Sequence, residues 1–295
     1  MKVLITGGSG FLGQYLNTEL SKENYILTLY NRHPGNCNKF NSQKTDIKNF
    51  DDLKRVFQEF SPDTVIHTAA VSTPQLSDKS SAKEVYMINV NATKIIAEEC
   101  EKNKAKLIYT STDLVYAGYR GSMLTENSKL IPISLYAETK LMGETKIQEI
   151  FDNYIILRTA LLFGLGLMHS KSHFDEMYNN LKENKKVRLF TDQFRTPLSI
   201  IEASKIISSL IKSDAKSEII NFGGLERVSR YDLGEILCNT ANLDKGLLEK
   251  IRMDDIPGLP KVEDVSMNTE KLQSYGIKPK SIEESIKEII SANHL

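Results

Sequence analysis

A chain of 295 residues is long enough to bury a large core, and its 38 basic and 38 acidic side chains balance, leaving no net field to draw it to DNA, RNA or an acidic membrane surface. Three scattered cysteines, Cys37, Cys100 and Cys238, show no C-x-x-C spacing and indicate reduced thiols, neither a disulfide framework nor a metal site. The first apolar run stops at Gly7, too short for a signal peptide, and no run approaches the roughly 20 apolar residues that span a bilayer, so a cytoplasmic protein without membrane or nucleic-acid partners is expected.

In chain order, residues 2–6 read as a strand, 11–22 as a helix, 25–30 as a second strand and 51–60 as a helix. Residues 64–67 form a third buried strand, 85–103 a long helix, 106–110 another strand, 136–151 a helix and 154–158 a further strand. This alternation predicts an α/β fold, a doubly wound parallel sheet covered on both faces. Beyond Arg158 the rhythm loosens, with helices expected at 174–183, 200–211, 230–241 and 282–292 and a short strand at 187–190. Residues 1–165 are therefore expected to form the Rossmann-type domain and 166–295 mainly a smaller, discontinuous α/β substrate lobe, with about 191–221 returning to the core. The lobe is expected over the sheet's carboxyl edge, where open α/β sheets bind ligands.

Directly after the first strand stand Gly7, Gly8, Gly10 and Gly13, a spacing that satisfies G-x-x-G-x-x-G and, from Gly8, G-x-G-x-x-G. One glycine turns sharply, another lets the backbone approach a pyrophosphate, and the last lets the helix pack closely; the helix N-terminus offers free N–H groups to the anion. Gly7, Gly10, Phe11, Leu12 and Gly13 are thus candidate cofactor residues. Past the second strand the chain reads Asn31, Arg32, His33, with no acid to bond an adenosine ribose. Arg32 suits a 2′-phosphate, which favours NADP(H) and leaves NAD(H) open. Asp46, with Ile47 beside it, is positioned to accept from the adenine amino group.

Tyr136 and Lys140 lie one helical turn apart. A nearby ammonium favours the phenolate, so the spacing predicts a tyrosine whose pKa falls below its usual value of about 10 and which exchanges a proton with a carbonyl oxygen. Lys140 can also bond the nicotinamide ribose.

These motifs occur in order with His67-Thr-Ala-Ala70, the pair Asn89-Val90, Ser111 to Tyr116 and Ile156 to Thr159. Together they resemble the extended short-chain dehydrogenase/reductases over nearly the whole chain. The resemblance implies that Thr112 holds the substrate oxygen and supports Tyr136, that Ala69 and Ala70 flank the cofactor, and that Asn89 is a structural helper. It also implies a homodimer paired through the helices at 85–103 and 136–151, as in many members of the family.

Within that group Ser111-Thr-Asp-Leu-Val-Tyr116, the loop Asp192 to Pro197 and the stretches 264–272 and 276–279 resemble the dTDP-4-dehydrorhamnose reductases. The implied activity is reduction of a nucleotide-linked 4-keto-6-deoxy sugar by Thr112, Tyr136 and Lys140, with Asp113 and Arg195 at the substrate. Arg195 is then a bidentate clasp for the diphosphate, and Asp192, Gln193 and Phe194 border the nucleotide. Sugar-nucleotide dehydratases carry Glu where this chain has Leu114, which removes the acid expected to abstract a C5 proton. An epimerase, or a non-catalytic NADP-binding subunit like the regulatory subunit of methionine adenosyltransferase, stays open.

Overall fold

Successive side chains of strand β1 (Lys2–Thr6) point to opposite faces, and Val3, Leu4 and Ile5 are all fully buried. A strand buried on both faces belongs inside a sheet. In the computed structural model, which describes residues 1–72, 77, 80–119, 121–258 and 261–292, β1 pairs in parallel with β2 (Tyr25–Tyr30) and β4 (Thr64–His67). The sheet continues through β3 (Ser42–Lys44) on one side and β5 (Lys106–Thr112), β6 (Tyr154–Thr159) and β11 (Glu218–Phe222) on the other. Its seven strands run in the order β3-β2-β1-β4-β5-β6-β11, with every neighbouring pair parallel. This is the Rossmann-type doubly wound order, whose direction reverses between β1 and β4 and opens a crevice at their carboxyl ends.

On one face Val3 and Ile5 pack with Leu12, Leu16 and Leu20 of α1 (Phe11–Leu20) and with α7 (Ile200–Leu210). On the other, Leu4 joins Leu53, Val56 and Phe57 of α2 (Phe50–Phe60), Ile96 and Cys100 of α4 (Ala92–Asn103) and Ile147 of α5 (Leu135–Ile150). Caps set where the helices begin: the side chain of Asn49 accepts from Asp52 N to start α2, and that of Ser134 from Ala137 N to start α5. The helix expected at 85–103 is built from α3 (Ala82–Tyr86), a wide π turn (Met87–Asn91) and α4. Asn89 explains the interruption: its buried amide leaves the helix surface to bond Val71 N at 2.8 Å, Val71 O at 3.2 Å and Thr139 Oγ1 at 3.1 Å.

The second core gathers Phe163, Phe174, Met177, Leu237 and Ile286 from α6 (His173–Lys182), α8 (Arg230–Ala241), α10 (Ile282–Ala292) and β7 (Leu162–Phe163). Short ladders stitch it together. β7 pairs with β10 (Leu198–Ser199), β8 (Val187–Phe190) with β13 (Leu248–Ile251), and β9 (Phe194–Arg195) with β12 (Val228–Ser229). The short helix α9 (Glu270–Ser274) packs on β11. Strand β11 carries polar residues among its apolar ones and escaped the pattern search. Its buried Asn221 accepts from the Tyr116 hydroxyl at 2.6 Å and donates to Leu124 O and Asn268 O, which supplies the partners that burial demands.

Candidate active site

The turn after β1 is tight for reasons of space. Gly7 has φ +71°, and a Cβ there would lie 2.7 Å from Ala69 N; a Cβ on Gly13 would lie 2.2 Å from Gly7 O. The first turn of α1 therefore backs onto the loop, and no side chain caps it and no acid occupies it. Its N–H groups stay available to an anion, which fits a dinucleotide's pyrophosphate.

From this turn a cleft of about 960 Å³ runs along the carboxyl edge of the sheet to the second lobe. Its walls bring together the predicted cofactor residues Gly7, Gly10, Phe11, Leu12 and Gly13 with Asp46 and Ile47 past β3 and Ala69 and Ala70 past β4. Arg32 is not among them: it stands exposed beyond β2, outside the cleft wall, in the field of Lys48.

Thr112, Tyr136 and Lys140 line the same cleft. Thr112 ends β5, accepts from Leu114 N and donates to Asp113 Oδ1, each at 3.2 Å, and its hydroxyl borders the phenol of Tyr136. The lowered tyrosine pKa expected from the sequence is not found. Burial pushes the phenol of Tyr136 well above its ordinary value, the neighbouring Thr112 hydroxyl opposes that rise and the negative charge of Asp113 adds to it. Lys140, 2% exposed, is itself pulled down to about 7 by burial, with Glu144 opposing the fall. Loss of water disfavours the charged form of both groups. The ammonium lies 4.0 Å from the ring centroid of Tyr109.

Asp113 and Arg195 also line the cleft, but Arg195 is not a free clasp. Its Nη1 donates to Phe194 O at 2.6 Å and both Nη atoms to Val262 O, while Nε lies 3.7 Å from Asp113 Oδ2. Of its neighbours Gln193 borders the cleft, whereas the ring of Phe194 is covered by Arg227 at 3.7 Å and Asp192 accepts from Met253 N. Sequence reasoning missed Arg230. It opens α8, donates from Nε to Gln193 Oε1 at 3.0 Å, and faces the cleft with no further side-chain bond among the described residues. Burial and the charge of Arg195 lower its guanidinium to about 9, with the carboxylate of Asp113 opposing the fall. His173, Arg188 and Lys171 share this wall. No local motif announces these residues, because only the packing of α6, β8 and α8 brings them together. Among the described residues no cluster of His, Cys, Asp or Glu is arranged to hold a metal, and no helix is long and apolar enough to cross a membrane.

A family model, RmlD substrate binding domain, matches residues 1–294. This chain belongs to that family. Relatives of this RmlD-type chain include methionine adenosyltransferase 2 subunit beta of Rattus norvegicus, 24% identical over 287 residues, 94% of this chain and 83% of that protein. The dTDP-4-dehydrorhamnose reductase of Aggregatibacter actinomycetemcomitans is 24% identical over 300 residues, 98% of each chain. Among solved structures, dTDP-4-dehydrorhamnose reductase from Bacillus anthracis in complex with NADP superposes with a TM-score of 0.86 at 24% identity, covering 99% of both chains. At that identity the superposition speaks to the fold.

Proposed function

We propose that this RmlD-type protein is an NADPH-dependent reductase of a nucleotide-linked 4-keto-6-deoxy sugar. The observation that carries the reading is the cleft itself, which Thr112, Tyr136 and Lys140 line together with an uncapped helix N-terminus and its glycine turn. Bound NADPH would supply a hydride. The protein's own task is to seat the carbonyl and deliver a proton. Tyr136 is the proton donor to the carbonyl oxygen, and its high pKa suits it, because a phenol that stays protonated at neutral pH is an acid ready to give. Thr112, beside that phenol, holds the same oxygen, and Lys140 orients the ribose and Tyr136.

Gly7, Gly10, Phe11, Leu12 and Gly13 cradle the pyrophosphate, with Ala69 and Ala70 beside the ring and Asp46 and Ile47 at the adenine. Arg32, an exposed cation beyond β2 just outside the cleft wall, favours NADPH over NADH at the adenosine end. The relative crystallised with NADP supports the same preference. Asp113 and Arg195 shape the sugar end, and Arg230, not Arg195, is the cation that meets the nucleotide's phosphates. A cytoplasmic setting goes with this reading, as do Cys37, Cys100 and Cys238, all free thiols and all buried.

The test is NADPH oxidation by the purified protein with a panel of nucleotide-linked 4-keto-6-deoxy sugars, read by loss of NADPH absorbance. Turnover on at least one is expected. Tight NADPH binding with turnover on none would transfer the protein to the role of a binding subunit, the reading that its likeness to methionine adenosyltransferase 2 subunit beta favours.

A further inference from the structure

The loop at 164–172, between β7 and α6, leads into the second lobe, yet it is fastened to the glycine turn of the first. Gln14, in the first turn of α1 and fully buried, makes the fastening. Its amide nitrogen reaches Ser170 Oγ at 2.8 Å, Leu167 O at 2.9 Å and Ser9 O at 3.2 Å, while its oxygen accepts from Asn36 N at 3.0 Å. Ser170 Oγ itself donates to Ser9 O at 3.2 Å, and the Tyr15 hydroxyl to Leu165 O at 2.6 Å. The rings of His33, beyond β2, and His169 stand 5.4 Å apart, so the loop meets the first lobe beside β2 as well as at the turn. A buried amide left without these partners would be costly, which fixes the loop where it lies.

What the loop presents next is a cation. Lys171 follows Ser170 directly, is exposed, and lines the cleft together with Ser9, Gly10 and Phe11. No ion pair holds it among the described residues: the carboxylate of Asp175, four positions on, is taken by Gly166 N at 2.8 Å and Ser172 N at 2.7 Å. The other described cations of the cleft come from elsewhere, Lys140 from α5, Arg188 from β8, Arg195 from β9 and Arg230 from α8. Among them Lys171 alone stands next to a residue bonded to the turn. A glycine turn supplies N–H groups but no formal charge, and a lysine ammonium on its four-carbon stem is a compact point charge suited to a phosphate.

We propose that Lys171 is a cofactor-binding residue, a cation that the second lobe brings to the glycine turn to pair with the dinucleotide's pyrophosphate. The proposal rests on the dinucleotide reading of that turn and does not depend on which sugar is reduced, or on whether any is. It extends the cofactor site past residue 165, because the latch through Gln14 and Ser170 makes the loop at 164–172 one of its walls.

The test is the Kd of NADPH and of NADH, measured by titration calorimetry for the wild type, Lys171→Ala and Lys171→Arg. No bond of the latch uses the Lys171 side chain, so Lys171→Ala should keep the wild-type unfolding midpoint. Its Kd is expected to rise about tenfold, the effect of one charge-assisted contact, and by the same factor for both cofactors, which share the pyrophosphate. Lys171→Arg keeps the charge and should stay within about threefold of the wild type. Unchanged affinity in Lys171→Ala, with a wild type that binds, overturns the inference alone. A loss confined to NADPH overturns it too, since that would put the lysine on the 2′-phosphate. A wild type that binds neither cofactor sinks the dinucleotide reading of the turn, and this inference with it.

Discussion

Arg195 brings its Nε to 3.7 Å from Asp113 Oδ2, and each of the two residues is 5% exposed. Oδ2 is buried and has no hydrogen-bond partner among the described residues, so the carboxylate relies on charge, and burial raises its pKa despite the cations beside it. A double-mutant cycle with Asp113→Asn and Arg195→Met should give a coupling of about 1–3 kcal/mol in denaturant unfolding. Additive single effects would show that the pair does not interact.

Tyr136→Phe keeps the ring and removes only the acidic hydroxyl. NADPH affinity should change little, while turnover should fall by about 10²–10⁴, the range expected when a positioned acid is lost. A variant with wild-type turnover would remove Tyr136 from its assigned role.

Two glycines of the same turn should respond differently to alanine. A Cβ on Gly13 meets backbone, 2.2 Å from Gly7 O, whereas on Gly10 its one close contact is Gly7 O at 3.2 Å. Gly13→Ala should therefore lower stability by about 1–3 kcal/mol as well as abolish NADPH binding. Gly10→Ala, whose added methyl stands where the backbone meets the pyrophosphate, should weaken binding with stability changed by less than about 1 kcal/mol. Equal unfolding midpoints for the two variants would contradict this account of the turn.

Lys140 also leaves a mark on stability. Its pKa falls from 10.5 to about 7 on folding, so between those values the unfolded chain binds the extra proton and the folded protein gains stability as pH rises. The contribution is fully present above the unfolded value and is lost as pH falls through the folded one. Lys140→Met abolishes the titration, so its stability relative to the wild type should be greatest near pH 6 and decline by about 1 kcal/mol per pH unit between pH 7.5 and 10. A difference that does not vary with pH would contradict a neutral buried lysine.

The amino-acid order by itself determined what local physics can carry. Short apolar runs in β1 and β4, helical spacing along α2 and α5, and glycines placed between β1 and α1 are properties of neighbours in the chain, and they were enough to foresee the doubly wound sheet and the turn, whereas Thr112 was expected only from the family resemblance. Strand β11 was missed because buried Asn221 breaks its apolar pattern and is satisfied by Tyr116, over a hundred positions away. Only the tertiary structure decided the charges. Arg195 is occupied by backbone carbonyls, Arg230 joins Lys171 and Arg188 at the cleft, and burial raises the acid of Tyr136 where a neighbouring ammonium alone would have lowered it. The reason is that a pKa and a free hydrogen-bonding edge depend on how much water remains and on which distant segments pack nearby, and neither quantity is written into the spacing of residues along a chain.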